Sequence, residues 1–134
     1  MRKEVDGVAA IMVVDDDETR RETVCATLRL AGLDARGVGS EQAVEVALRG
    51  HYPLALVDLM LHGTNGFELA RCLRPNQALR VVLTSDYHFN EAQLARIDCG
   101  AVGFVPRPCA IDELTSFLRA KLPASPLSTA AETT

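Results

Sequence analysis

The sequence predicts an α/β domain built on a doubly wound parallel sheet, and three observations carry that prediction. Apolar runs at residues 8–14, 54–57, 81–83 and 102–105 are continuous rather than alternating, the pattern of strands covered on both faces. Segments with helical spacing and capping signals fill the gaps between them. Residues suited to chemistry, namely Asp15, Asp16, Asp17, Asp58, Thr84, Ser85 and Arg107, stand close behind the apolar runs, where an open α/β sheet places its ligand crevice.

Taken in order, the run at 8–14 is the first strand, and Val24, Leu28 and Ala31 then recur at helical spacing until Gly32 ends the first helix. Asp17 and Glu18 suit that helix's N-terminus by capping and by charge. Residues 34–38 form a short mixed strand, and Ser40 caps a second helix carrying Val44 and Ala47. The run at 54–57 is the third strand. After a polar loop, Asn65 and Glu68 resemble a capping box that opens a helix with Phe67, Ala70 and Leu73 inward, ended by Pro75. The run at 81–83 is the fourth strand. Asn90 and Gln93 repeat the capping signal for a helix that closes at Gly100. The run at 102–105 is the fifth strand, and a last helix with Leu114, Phe117 and Leu118 on one face stops at Pro123. Five strands thus alternate with five helices, and parallel neighbours joined by crossovers are right-handed almost without exception.

Composition narrows the function classes. With 134 residues and 48% hydrophobic content, the chain suits one domain that buries most of its apolar surface. The net charge of −4 and the lack of a Lys/Arg stripe give no footprint for direct nucleic-acid binding. Arg2 and Lys3 precede an apolar run, but three aspartates end it with no small-residue cleavage site, so it reads as a strand rather than a signal peptide. No stretch is long enough to span a bilayer. Cys25, Cys72, Cys99 and Cys109 are scattered without a C-x-x-C or Cys/His pairing, which speaks against zinc and a redox dithiol and for reduced thiols in a cytoplasm. Residues 123–134 are rich in Pro, Ser, Thr and Ala without an aromatic, and are expected to be a flexible tail or the start of a linker.

Asp58 and the Asp15 group close two different strands, so the sheet brings them to one crevice. Like charges about 4 Å apart repel by about 4 kcal/mol at an effective dielectric of 20. Such a pocket is expected to hold a cation.

Several motifs then fall in order: Val-Val-Asp15-Asp16, Val-Asp58 with Gly66 beyond it, Leu-Thr84-Ser85, and Gly100-Ala101 followed by Phe104 and Arg107-Pro108. On these the chain resembles the receiver domains of two-component response regulators over residues 9–122, with residues 1–8 as an N-terminal segment. The resemblance implies a flavodoxin-like five-stranded sheet in the order 2-1-3-4-5. It implies that Asp58 is the phosphoacceptor for a histidine kinase or phosphotransfer protein. Asp16, Asp58 and the backbone carbonyl of Met60 would hold Mg2+, with Asp15 assisting through water; a hard cation of this kind takes oxygen ligands and keeps several waters. A hydroxyl after the fourth strand, Ser85 by its spacing from Arg107 or else Thr84, would bond a phosphoryl oxygen, and Phe104 would be the switching aromatic. A cis bond between Arg107 and Pro108 is also implied.

Four features depart from the family pattern. Arg107 stands where the family has lysine, and a planar guanidinium can pair with Asp58 where a lysine is a point charge. Asp86 replaces a small residue, His62 replaces a proline, and Pro106 is best tolerated on an edge strand. The leading expectation is a cytoplasmic signalling receiver, not an enzyme with a separate substrate. It would be a monomer or weak dimer that acts on a downstream protein target or an output domain. A second is a pseudo-receiver, a binding module that is not phosphorylated. A third is a phosphohydrolase of the haloacid-dehalogenase type, since Asp15-x-Asp17-x-Thr19 resembles that family's nucleophile motif.

Overall fold

The structure, a computed structural model, describes residues 11–76, 78–90, 92–93 and 96–123. Its elements are β1 (Ile11–Val14), α1 (Glu18–Leu30), β2 (Ala35–Val38), α2 (Ser40–Arg49), β3 (Leu54–Asp58), α3 (Gly66–Leu73), β4 (Arg80–Ser85), β5 (Gly103–Pro106) and α4 (Ile111–Lys121). The five strands are parallel and lie in the order β2-β1-β3-β4-β5, the order that the resemblance implies. Four helices are complete among the described residues. The helix expected after Asn90 falls partly on residues outside them, although its capping box is formed: Asn90 N–H donates to Gln93 Oε1 at 2.9 Å and Gln93 N–H to Asn90 Oδ1 at 2.7 Å. The start of the apolar run at 8–14, residues 1–8 and the tail beyond Pro123 also lie outside the described residues.

The continuous apolar runs are explained by burial on two faces. Met12, Val14, Ala55, Val57, Val81 and Leu83 pack with Ala43 and Ala47 of α2 and with Leu69, Ala70 and Leu73 of α3. The alternate residues Ile11, Val13, Leu54, Leu56, Val82 and Val105 pack with Cys25 and Leu28 of α1 and with Leu118 of α4. Because successive strand side chains point to opposite faces, a strand covered on both sides must be apolar at every position. Pro106 ends β5, which is an edge strand, so its missing N–H costs the sheet no interior bond.

Most helix signals act as expected. Asp17 is the N-cap of α1, accepting from Arg20 N–H at 3.1 Å, and Asn65 caps α3 by accepting from Glu68 N–H at 2.9 Å. Gly32 takes the positive φ of 89° that a helix C-terminus demands. Two details of α2 are corrected. Its N-cap is Gly39, with Ser40 the first helical residue, and its inward residues are Ala43 and Ala47 while Val44 is exposed. The N-terminus of α2 is instead served by Asp16, in the loop after β1.

Candidate functional site

The strand order reverses direction at β1, so Asp15 beyond β1 and Asp58 at the end of β3 meet at the carboxyl edge of two adjacent strands. Asp58 is 1% exposed. Across from it lies Thr84, and Ser85 pairs in turn with Pro106 beside Arg107. The floor of the crevice is set by Gly66, where α3 starts against the end of β3. A Cβ there would sit 2.7 Å from the Asp58 carbonyl oxygen and 2.8 Å from Leu59 Cα.

Guanidinium groups fill the gaps between the carboxylates. Asp58 Oδ1 accepts from Arg107 Nη2 at 3.0 Å and its Oδ2 from Arg20 Nη2 at 3.0 Å. Arg20 also grips Asp15 twice, Nε to Oδ2 at 2.6 Å and Nη2 to Oδ1 at 3.0 Å. Arg107 Nε extends the chain to Asp86 Oδ1 at 3.0 Å. The result is an alternating line, Asp15, Arg20, Asp58, Arg107, Asp86, running from the buried strand ends to an aspartate that is 76% exposed. Burial pushes the Asp58 carboxyl above its ordinary value, against the opposing pull of Arg107 and Arg20. Its hydrogen bond with Asp15 holds Arg20 charged more firmly than a free guanidinium. Asp86 is drawn below its usual range by its hydrogen bond from Arg107.

Asp16, expected as a direct metal ligand, accepts three hydrogen bonds within the chain. Its Oδ1 accepts from Ser40 N–H at 2.7 Å, and its Oδ2 from Ser40 Oγ at 2.7 Å and from His62 N–H at 2.8 Å. It therefore caps α2 from another element and ties down the loop that follows β3. Burial raises the Asp16 carboxyl, but these hydrogen bonds outweigh it and leave the group below its ordinary value of 3.8. Asp16→Ala is expected to cost about 2 kcal/mol in urea unfolding, since hydrogen bonds to a charged acceptor are lost at a helix end. The sign with pH follows from a lowered folded value. The charge-dependent part is complete above pH 3.8 and fades as pH falls through the folded value, so the wild-type advantage over Asp16→Ala should narrow in acid.

The residues present were expected to hold Mg2+, and as arranged they do not fit it. Both oxygens of Asp15 and Asp58 face guanidinium nitrogens, and both oxygens of Asp16 face α2 and the loop. Met60 pairs with Asn65 in a single antiparallel bridge. Among the described residues no group of three or more His, Cys, Asp or Glu side chains is placed to hold a metal ion.

The two candidate hydroxyls differ in their commitments. Thr84 Oγ1 donates to the Val105 carbonyl at 2.8 Å and stands 3.5 Å from Arg107 Nη1. Ser85 Oγ, fully buried, accepts from Tyr87 N–H at 3.0 Å. Phe104 lies half-buried on β5 with its ring centroid 5.5 Å from that of Phe89, and Phe89 in turn lies 6.1 Å from Phe67 of α3. These edge-on contacts fasten the loop after β4 to the sheet. The Arg107–Pro108 bond is cis.

The sequence reading missed Arg20 and Phe89. Arg20 carried a signal nonetheless. It is the third residue of α1, and a cation in the first turn opposes the helix dipole, so its position called for acidic partners close by. Phe89 lies in a polar stretch without periodicity, and nothing local marked it.

A family model described as "Response regulator receiver domain" matches residues 11–119. The "DNA-binding response regulator MtrA" of Mycolicibacterium smegmatis is 33% identical over 113 residues, covering 84% of this chain and 50% of that protein. The "Transcriptional activator protein PfeR" of Pseudomonas aeruginosa is 31% identical over 105 residues, covering 78% of this chain and 34% of its own length. The chain thus spans half or less of these relatives. Among solved structures, the BeF3-activated N-terminal receiver domain of Klebsiella pneumoniae RstA superposes with a TM-score of 0.77 at 26% identity, covering 86% of this chain and 99% of that one. Vibrio cholerae chemotaxis protein CheY4 gives 0.77 at 21% identity over the same shares, a likeness of fold.

Proposed function

Because the chain belongs to the response regulator receiver family, we propose that it is a signalling phosphoacceptor and that Asp58 takes the phosphoryl group. The observation that carries this reading is the buried Asp58 carboxylate at the carboxyl edge of the sheet, flanked by two guanidiniums and by the hydroxyl-bearing end of β4. A carboxylate oxygen has two lone pairs, so one bond from each arginine leaves Asp58 able to act as a nucleophile. Paired with two guanidiniums, the Asp58 carboxylate needs no general base.

The donor would be a phosphohistidine on a histidine kinase or phosphotransfer protein. An Asp58 oxygen forms a bond to phosphorus, the phosphorus–nitrogen bond breaks, and its electron pair leaves with the imidazole nitrogen, which takes up a proton. Arg20 and Arg107 meet the charge on the equatorial oxygens, the kind of positioning and electrostatic work that phosphoryl transfer needs. Ser85, whose oxygen already accepts from Tyr87 N–H, has its own proton to offer a phosphoryl oxygen; Thr84 has spent its proton on Val105. That favours Ser85 as the switch hydroxyl. Its engagement would pull on the Tyr87 amide and, through Phe89, on Phe104. No step is routed through a metal ion.

The chain would promote only the gain and loss of its own phosphoryl group. A downstream protein target or an output domain would read the altered surface around β5 and the loop after β4, and a cytoplasmic setting goes with a kinase partner. No helix among the described residues is long and apolar enough to cross a membrane. The phosphohydrolase reading takes no support from the family match, and Asp15 is gripped on both oxygens.

One observation favours the pseudo-receiver as a second reading: both Asp58 oxygens are paired with arginine. Incubation with acetyl phosphate and, separately, with a phosphorylated phosphotransfer protein decides between them by intact mass. The expected result is one added phosphoryl group on wild type and none on Asp58→Asn. An unchanged mass with every donor would leave the pseudo-receiver standing.

A further inference from the structure

We propose that Arg20 is the resident cation of this crevice, standing in the place where a divalent metal ion would otherwise neutralise Asp15 and Asp58. The inference rests on the receiver reading only for the location of the site. A single guanidinium spans both carboxylates: three of its bonds run to Asp15 and Asp58 at 2.6–3.0 Å. Its position is built rather than incidental. The Asp17 cap fixes the Arg20 backbone N–H at 3.1 Å, and the first turn of α1 aims the side chain back over the end of β1. The unfavourable helix dipole at that position is offset by two buried carboxylates, Asp15 and Asp58.

The carboxylate edges that a metal would approach already face a cation. Mg2+ requires near-octahedral oxygens at about 2.0–2.1 Å, and Arg20 occupies the edges of Asp15 and Asp58 that face one another. Asp16, which could complete a triad, is turned away to Ser40 and His62. Metal and guanidinium are therefore competitors for one place. The consequence is a receiver whose crevice is charge-balanced by its own chain and whose behaviour is insensitive to Mg2+. In a phosphorylated Asp58, the fork-shaped guanidinium of Arg20 would face phosphoryl oxygens directly.

The test is titration of MgCl2 into the full chain, wild type and Arg20→Met, followed by thermal midpoint and by NMR of the Asp15 to Asp17 amides and the Arg20 Nε–H. Wild type is expected to show no saturable shift at millimolar Mg2+ and an unmoved Arg20 Nε–H signal. Arg20→Met is expected to bind Mg2+ saturably and more tightly than wild type by roughly tenfold or more, the effect of removing one unit charge from a half-screened site. Saturable binding to wild type equal to that of the variant would overturn the proposal, as would a folded Arg20→Met that gains none. Should the variant not fold, the wild-type titration decides alone: saturable shifts at Asp15 to Asp17 refute a resident arginine. None of these readouts requires an adduct at Asp58. Failure of phosphorylation would therefore retire the phosphoacceptor reading and leave this one intact.

Discussion

Asp58→Ala is expected to lower the free energy of unfolding by about 3 kcal/mol, whereas relief of crowded carboxylates alone would raise it. The sign separates two pictures of the same crevice. If Asp15 and Asp58 simply faced each other, deleting one would remove a repulsion of several kcal/mol. In the structure Asp58 is the middle of an alternating line and balances Arg20 on one side and Arg107 on the other. Its loss takes one carboxylate from each of two cations that are only 32% and 19% exposed, leaving Arg20 with Asp15 and Arg107 with the exposed Asp86. Removing one partner of a buried pair costs about 3–5 kcal/mol, and partial exposure of the arginines argues for the lower end. Urea unfolding of wild type and Asp58→Ala at neutral pH, with Asp58→Asn alongside, measures it directly. A stabilised Asp58→Ala would mean that the arginines do not hold these positions in solution.

Gly66→Val should be costlier to the site than its remoteness from the charges suggests. A Cβ at Gly66 meets backbone atoms, the Asp58 carbonyl oxygen at 2.7 Å and Leu59 Cα at 2.8 Å, and backbone cannot rotate away as a flexible side chain can. The Gly66 N–H also donates to the Leu59 carbonyl at 2.8 Å, stitching α3 to the strand end. Overpacking of this kind costs about 1–3 kcal/mol and more where the neighbour cannot yield, so we expect about 3 kcal/mol from chemical unfolding. Asp58 must shift with its own carbonyl, so the Arg20 and Arg107 bonds should loosen too. Gly66→Ala should show the same effects at smaller size. A Gly66→Val protein of wild-type stability would mean that α3 can move off the strand freely.

The sheet was legible because burial on both faces leaves no choice of residue type. Val14, Val57 and Leu83 could not be polar in such a strand, and their runs announced it. Asp17, Asn65 and the Asn90–Gln93 pair were legible because a cap acts within three residues of itself. The site was legible only in part. Asp58, Ser85 and Arg107 stand at strand ends, whose convergence follows from topology. The capping of α2 by Asp16 was not legible because its partners, Ser40 and His62, lie 24 and 46 residues away, and no local pattern shows which of several aspartates a distant helix will recruit. Arg20 was missed for a related reason. It sits in a helix that was identified correctly, yet its role depends on a carboxylate 38 residues further on. A cation at the positive end of a helix was the one mark it left.

A phosphoacceptor role for this crevice requires that Asp58 itself carry the phosphoryl group. The most direct measurement is borohydride reduction of the donor-treated protein, which converts an aspartyl phosphate to homoserine, followed by peptide mass spectrometry. The expected result is homoserine at position 58 alone. Homoserine at Asp15 or Asp17, or none anywhere after treatment with a competent phosphohistidine donor, would contradict the assignment of Asp58 as the phosphoacceptor.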